Sequence, residues 1–380
     1  MKTTKRCKLI IAASEHHADM LYVAGMFVPD PFIAIEIAGE WHGLFSPLEI
    51  DRAKKSSKFD HCHIDSPWRE LAKQQGNAGD LLGAASAFMQ QHQITEVIVP
   101  DDFPLKYAET LRAQRWMVRC QDGPLFPQRI HKREDECKQL ARAERLTKQS
   151  MQQAEKFIAA CSIGDDLILR HPDAAMKKVT AQDIRQTIDI WLMQHDAMPS
   201  HTIVACGKQS SDPHNTGSGY IYAHQPIIID IFPRLVNSGY WGDMTRTFCK
   251  GAASTELKAM YHAVKDAQKL GLSMVQHGVK AAAIHTAIQT HFVNLGFTTG
   301  SVRGKQCGFF HGTGHGVGLD IHEAPRVSTA DNTLESGQVI TIEPGLYYPH
   351  IGGVRLEDLV IVRADGCQNL TNFKCQLEIA

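Results

Sequence analysis

Long apolar runs, paired cysteines and an excess of charge of either sign are all missing from this sequence, and each absence removes a class of protein. No stretch approaches the roughly 20 apolar residues of a membrane-spanning helix, so no membrane partner is expected. A net charge of -1 over 380 residues leaves no field to attract nucleic acid or anionic lipid. The ten cysteines include no C-x-x-C pair, and a chain of this size can bury a core without a disulfide framework. After the basic start, the apolar stretch is only Leu9 to Ala13 before Glu15 and His16, too short for a secretory signal. A reducing, cytoplasmic compartment is therefore expected.

Several catalytic signatures are missing too. His322-Glu323-Ala324-Pro325-Arg326 is not H-E-x-x-H, and Pro325 would break the helix that such a zinc site needs. The run from His311 to Gly318, HGTGHGVG, misses the G-x-G-x-x-G spacing, and no Gly-Lys-Ser/Thr follows. No G-x-S-x-G elbow suggests a serine hydrolase.

What remains is ordinary globular composition, 43% hydrophobic and 21% charged, with room for about two domains. Lys8 to Ala13, Phe32 to Ile37 and Glu96 to Val99 look like strands and alternate with helical stretches such as Leu81 to Gln91. That alternation predicts an α/β amino-terminal domain. Within it, His42 and the run Asp60, His61, Cys62, His63 match no familiar metal spacing and read as polar surface or loop. Pro124 and Pro127 mark a linker over Gly123 to His131.

Helices are predicted over Lys132 to Ala160, whose charges read as a solvated face, and over Ala181 to His195. A strand His201 to Cys206 and a polar loop Gly207 to Gly219 carrying His214 follow. Two further helices, Thr255 to His277 and Val279 to Leu295, precede more strands. Helix, helix, strands thus occurs twice, and a duplicated architecture would place a site between its halves.

The unusual stretch is Ile227 to Phe248. Asp230 interrupts the run Ile227, Ile228, Ile229, Ile231, Phe232, the pattern of a strand buried on both faces. A charge there needs a partner. Turn chemistry at Pro233 to Gly239 should return the chain as a second strand, with Trp241, Asp243, Thr245 and Thr247 on one face. Such a pairing could bring Asp243 beside Asp230, and two carboxylates in a low-dielectric site call for a cation. His311, His315 and His322 lie in a glycine-rich stretch that lets backbone approach closely. A strand from Val339 ends at Glu343, and Gly353 to Val362 reads as one strand with Arg355 and Glu357 on one face and Asp358 on the other.

Taken singly, each acid has a plain structural explanation: it caps a turn, pairs with arginine or sits on a wet edge. Each histidine alone could equally be a satisfied structural residue. Together, four carboxylates and one imidazole are the donor set that two divalent Mn, Co, Fe or Zn ions accept. Such a pair can hold a bridging water and lower its pKa toward neutrality.

These motifs resemble the family of creatinase, aminopeptidase P and prolidase, which shares the pita-bread fold with methionine aminopeptidase. The likeness lies in Asp230 with Gly239 to Thr247, in His311 to Glu323, in Thr341 to Tyr347 and in Gly353 to Asp358. More weakly, residues 17 to 32 are similar to the creatinase-type amino-terminal domain. The resemblance implies an α/β (α+β) protein with a creatinase-like domain over residues 1–130 and a pita-bread catalytic domain over 131–380.

It further implies that Asp230 chelates one ion, Asp243 and Glu357 bridge two, and His315 and Glu343 complete the second, with Glu343 also as acid/base. His214, His311 and His322 match pocket histidines that contact substrate and stabilise the tetrahedral intermediate. Arg355 and Tyr347 match a pair that orients the ligands. The implied cofactors are two divalent ions, Mn2+ first, with Co2+, Zn2+ or Fe2+ as alternatives. The implied activity is hydrolysis of N-terminal, chiefly Xaa-Pro, peptide bonds in short peptides by a metal-bridging hydroxide, in a homodimer. A small-amide hydrolase or lyase on the same fold, or a non-catalytic peptide-binding module, stays open. Creatinase itself lacks the metal ligands; this chain keeps all five, which favours a peptidase. The interval from Asp230 to Asp243 is two residues longer than the family's, with the extra length in Pro233 to Ser238, and a longer turn is expected there.

Overall fold

In the computed structural model, which describes residues 5–302 and 304–380, the chain parts between Pro127 and Gln128. The first unit is built on six strands: β1 (Arg6–Ala12), β2 (Phe32–Ile37), β3 (Glu40–Phe45), β4 (His61–Ile64), β5 (Glu96–Val99) and β6 (Met117–Cys120). Its helices are α1 (Ala18–Ala24), α2 (Ile50–Ser56), α3 (Ser66–Gln74), α4 (Leu81–Gln91) and α5 (Leu105–Ala113). The sheet order is β4-β3-β2-β1-β5-β6. β1, β2 and β3 pair antiparallel, while β4, β5 and β6 join in parallel. The two-residue turn Ala38-Gly39 has positive φ at both positions, 55° and 93°, the conformation that closes a tight hairpin.

Alternation along these strands sends Leu9, Ile33, Ile35 and Leu44 to one face, where they pack with Leu82, Phe88 and Val97. Ile10, Phe32, Ala34 and Phe45 go to the other. The sheet is therefore apolar on both faces, as expected of a layer with helices on either side.

The second unit repeats one plan twice. Helices α6 (Glu134–Ala160) and α7 (Ala181–Met193) pack on a four-stranded sheet ordered Ile203–Cys206, Ile227–Ile231, Met244–Lys250, Glu378–Ile379. Helices α8 (Thr255–Met274) and α9 (Ala281–Asn294) pack on a five-stranded sheet ordered Glu323–Val327, Gly314–Gly316, Val339–Ile342, Asp358–Arg363, Gly366–Asn369. Helix starts follow side-chain chemistry. Thr180 Oγ1 accepts from Asp183 N and the Asp183 carboxylate accepts from Thr180 N, a capping box; Ser254 Oγ accepts from Leu257 N.

Sequence expectations differ from these elements in three informative places. α6 starts at Glu134 rather than Lys132, because Arg133 N donates to Glu136 Oε2 at 2.9 Å and caps the helix there. Its charges are not all solvated: Glu136 and Glu144 are buried among Leu140, Ala143 and Leu146. Finally, Gly353 to Val362 is two strands, Gly352–Arg355 and Asp358–Arg363, broken at Leu356 and Glu357. The first belongs to a hairpin with Gly345–Tyr348 and the second to the five-stranded sheet. At the break, Glu357 N donates to Thr245 O at 3.1 Å, which ties the second half of the plan to the first.

Candidate metal centre

Period-two alternation decides which way Asp230 looks. Ile227, Ile229 and Ile231 face the core under α6 and α7, so Ile228 and Asp230 face the other side, where Ile228 packs with Ile203, Ala205 and Tyr347. The next strand runs antiparallel with Asp230 opposite Thr245. Asp243 therefore does not pair with Asp230 as expected. It lies just before the strand, which begins at Met244 rather than Gly239, and its backbone N donates to Glu144 Oε2 at 2.9 Å. Residues 233–242 form their own structure, in which Arg234 bridges Trp241 and Trp241 N donates to Gly318 O.

The second half supplies the opposing donors. His315 sits on Gly314–Gly316, a strand so close to its neighbour that a Cβ on Gly314 would lie 1.9 Å from Thr341 O. Only glycine fits there. Glu343 follows directly on Val339–Ile342, with its N donating to Thr313 O. Arg355 ends the hairpin strand, and Glu357 follows at the break. Asp230, Asp243, His315, Glu343 and Glu357 all line one cavity of ≈ 700 Å³, together with His214, His311, His322, Arg326 and Arg355. Phe232, Phe310, Ile203 and Ile321 form apolar parts of its wall.

Hydrogen bonds fix most of these side chains. Arg355 Nη2 donates to Asp230 Oδ2 at 2.7 Å, Nη1 to the Tyr347 hydroxyl at 3.0 Å, and Nε to Thr245 Oγ1 at 3.2 Å. Thr245 Oγ1 in turn donates to Glu357 Oε2 at 2.7 Å. The Tyr347 hydroxyl lies 2.9 Å from His311 Nε2, and His311 Nδ1 lies 2.7 Å from Gly312 O. A hydroxyl donating to Nε2 and an Nδ1–H donating to the carbonyl satisfy both nitrogens. His311 thus orients Tyr347 and Arg355, whereas His214 and His322 are exposed on the cavity wall. Tyr347 lies behind the wall, fully buried.

From the rear, Arg246 is only 1% exposed and holds both halves together. Its Nη1 donates to Thr245 O and Glu357 O, at 2.9 and 2.8 Å, and its Nη2 to Asp358 Oδ1 and Phe373 O, at 2.7 and 3.0 Å.

The electrostatics call for a cation. Burial and the neighbouring carboxylates push Asp243 and Glu357 well above the usual carboxylate range, and burial raises Glu343 to about 7. Burial lowers His315 to about 3, so its ring is neutral. Its Nδ1 lies 3.1 Å from Gly316 O, and donating there leaves the Nε2 lone pair exposed to Asp243 Oδ2 at 3.5 Å and Glu343 Oε1 at 3.7 Å. A lone pair facing two carboxylate oxygens is repulsive unless a proton or a positive ion lies among them. Asp230 Oδ1 is buried without a hydrogen-bond partner, which has the same cure. One donor atom each from Asp243, His315 and Glu357 lie within 4.8 Å of one another. The oxygen-rich set with one imidazole fits divalent Mn, Fe, Co or Zn.

Sequence reasoning missed three kinds of residue. Arg326 lies on the cavity wall but had appeared only as the end of a failed zinc motif, and the apolar wall residues, Phe232 and Ile203 among them, had been read as strand core rather than cavity lining. Glu144 looked like one more helix charge, yet it is fully buried, pushed up to about 8 by that burial, and also bonded to Thr371 Oγ1 at 2.6 Å.

A buried carboxylate and histidine cage set between two halves of a repeated helix-and-sheet plan has the donor set of a divalent-metal site. Residues 138–364 match metallopeptidase family M24, and the chain belongs to that family. Among curated relatives it is 32% identical over 238 residues to the Xaa-Pro dipeptidase of Pyrococcus furiosus, 61% of this chain and 64% of that one. It is 37% identical over 167 residues to a putative Xaa-Pro aminopeptidase of Mycoplasma genitalium, 43% of this chain and 44% of that one. The chain thus matches less than two thirds of the length of these relatives. Over its full length the fold is similar to two solved structures. X-Pro aminopeptidase from Thermotoga maritima has a TM-score of 0.81 at 20% identity, covering 99% of this chain and 98% of that one. The prolidase from Pyrococcus horikoshii has a TM-score of 0.78 at 24% identity, covering 99% and 96%.

Proposed function

We propose that the chain is a metallo-exopeptidase that hydrolyses Xaa-Pro bonds near the amino terminus of short peptides. The observation that carries this reading is the convergence of Asp230, Asp243, His315, Glu343 and Glu357 on one cavity, with a neutral His315 Nε2 aimed at two carboxylates. These five residues would hold two divalent ions, with Mn2+ the first to test. Such ions supply Lewis acidity at a scissile carbonyl and acidify water.

The protein's own groups do the rest. Glu343 accepts the proton of the attacking water and delivers it to the departing nitrogen. A proline nitrogen leaves as a secondary amine and needs that proton. His322 and His214, exposed on the cavity wall, are placed to donate to the oxygen that becomes negative. Arg355 holds Asp230, and Tyr347 with His311 holds Arg355. Phe232, Phe310 and Ile321 offer an apolar surface that suits a pyrrolidine ring. The names of the curated relatives cited above support the proline preference. The reading includes a homodimer, to be checked by light scattering.

The test is a panel of Xaa-Pro dipeptides and Xaa-Pro-Yaa tripeptides, with matching alanine peptides, assayed with Mn2+ or Co2+ after elemental analysis. Cleavage of the proline peptides, abolished together with metal content in Asp243→Ala, is expected. Turnover of a small non-peptide amide with every peptide left intact would sink the reading.

A further inference from the structure

The amino-terminal unit contains a second gathering of metal-ligating side chains. Glu40 and His42 point to one face of β3, and His61 and His63 point to the same face of β4, because side chains alternate along a strand. The parallel register sets His42 against His61 and Leu44 against His63. The His42 and His61 rings stack with centroids 4.6 Å apart, and His61 Nε2 lies 3.0 Å from Glu40 Oε2. His42 Nδ1 lies 3.2 Å from His63 Nε2. From the end of α4, His92 brings a fourth ring to 5.6 Å from His42.

The segment read from the sequence as polar surface or loop is a partly exposed strand, His61–Ile64. The spacing of 42, 61 and 63 fits no linear motif because the site is assembled by strand register across an intervening helix, α2. One donor atom each from Glu40, His42 and His61 lie within 4.8 Å of one another. Donors of a tetrahedral zinc ion, at about 2.0–2.2 Å each, stand roughly 3.4 Å apart, so rotamer adjustments of about an ångström close the set.

We propose that Glu40, His42 and His61 bind one borderline divalent ion of the zinc type, with His63 orienting His42 from behind. Two imidazoles and a carboxylate are a donor set that zinc accepts, leaving a fourth position open on the exposed side of Glu40 and His61. Glu40 brings the single negative charge that offsets part of the ion's own. In the competing arrangement, the same rings stack neutrally around hydrogen bonds and hold no ion.

Full-length protein is stripped with chelator, loaded with Zn2+ alone, desalted and counted by mass spectrometry. His61→Ala and Glu40→Gln remove exposed side chains, so both variants should fold, which thermal scans of the stripped proteins check. Each is expected to carry about one zinc fewer per chain than the parent while proline-peptide hydrolysis stays unchanged. In an Asp243→Asn background, cobalt loading should give a visible absorption band that His61→Ala removes. Equal zinc in parent and both variants, or a cobalt band in the Asp243→Asn background that survives His61→Ala, would overturn the proposal.

Discussion

Replacing Arg355 by methionine tests the electrostatic account of the cavity most directly. The side chain is 4% exposed and gives four hydrogen bonds, to Asp230, Tyr347, Thr245 and the Pro213 carbonyl. Methionine fills most of the stem volume but leaves Asp230 without its cation and Thr245 Oγ1 without a donor. Removing one partner of a buried pair costs about 3–5 kcal/mol, because the other charge stays buried and uncompensated. At roughly 2–4 °C per kcal/mol for a unit of this size, the metal-free protein should melt about 6–20 °C lower. The assay is a calorimetric scan of chelator-treated protein, repeated for Asp230→Asn and for the double variant. Since Asp230→Asn removes the charge that Arg355 neutralises, the double variant should recover at least about 1.5 kcal/mol relative to the sum of the singles. Additive losses, or a single-variant loss below about 1 kcal/mol as at an exposed pair, would refute the reasoning.

Three other outcomes are expected. Glu343→Gln keeps the shape but removes both the proton acceptor and one proposed metal donor, so peptide hydrolysis should fall by at least about 100-fold with an unchanged circular dichroism spectrum, metal content being counted alongside; a loss under 10-fold would count against the assignment. In metal-free protein the raised carboxyls, with Glu343 near 7 and Glu144 near 8, contribute stability that is present in acid and lost as pH rises through those values. The neutral histidines, lowered to about 3, add no slope above their ordinary pKa of about 6.5. The metal-free melting temperature should therefore drop between pH 6.5 and 8.5, and Mn2+ should flatten that drop; a rise over the same window would contradict it. Tyr347→Phe should cost about 1–2 kcal/mol in a thermal scan, since Arg355 and His311 each lose a partner, while metal content measured by mass spectrometry stays level.

How much of this was legible in the sequence depends on whether a property is local or set by register. Phe32–Ile37, Leu81–Gln91 and Glu96–Val99 match the strands and helix expected from apolar period and flanking turns. Asp230 stood out because a carboxylate in a run of isoleucines needs a partner, and the structure places it at a cavity, paired with Arg355 through one oxygen and unsatisfied at the other. The break after Arg355 could not be read, because two successive strands carry the same alternation and what marks the break is long-range bonding, from Glu357 N to Thr245 O and from Arg246 Nη1 to Glu357 O. Glu144 was hidden for a similar reason: helix periodicity places it near the apolar stripe, but nothing local says that Asp243 N needs an acceptor there. The histidines of β3 and β4 were visible as residues and invisible as a group until their pairing was known.

The buried guanidinium of Arg246 has a consequence for how the cage meets its ions. By gripping the carbonyls of Thr245 and Glu357 and the Asp358 carboxylate, it fixes the segments that carry Asp243 and Glu357 relative to one another, using protein atoms alone. The empty protein should keep the coordination geometry ready-made. Loading would then require no folding step, and ions could be exchanged in place without the entropy loss of assembling their own container.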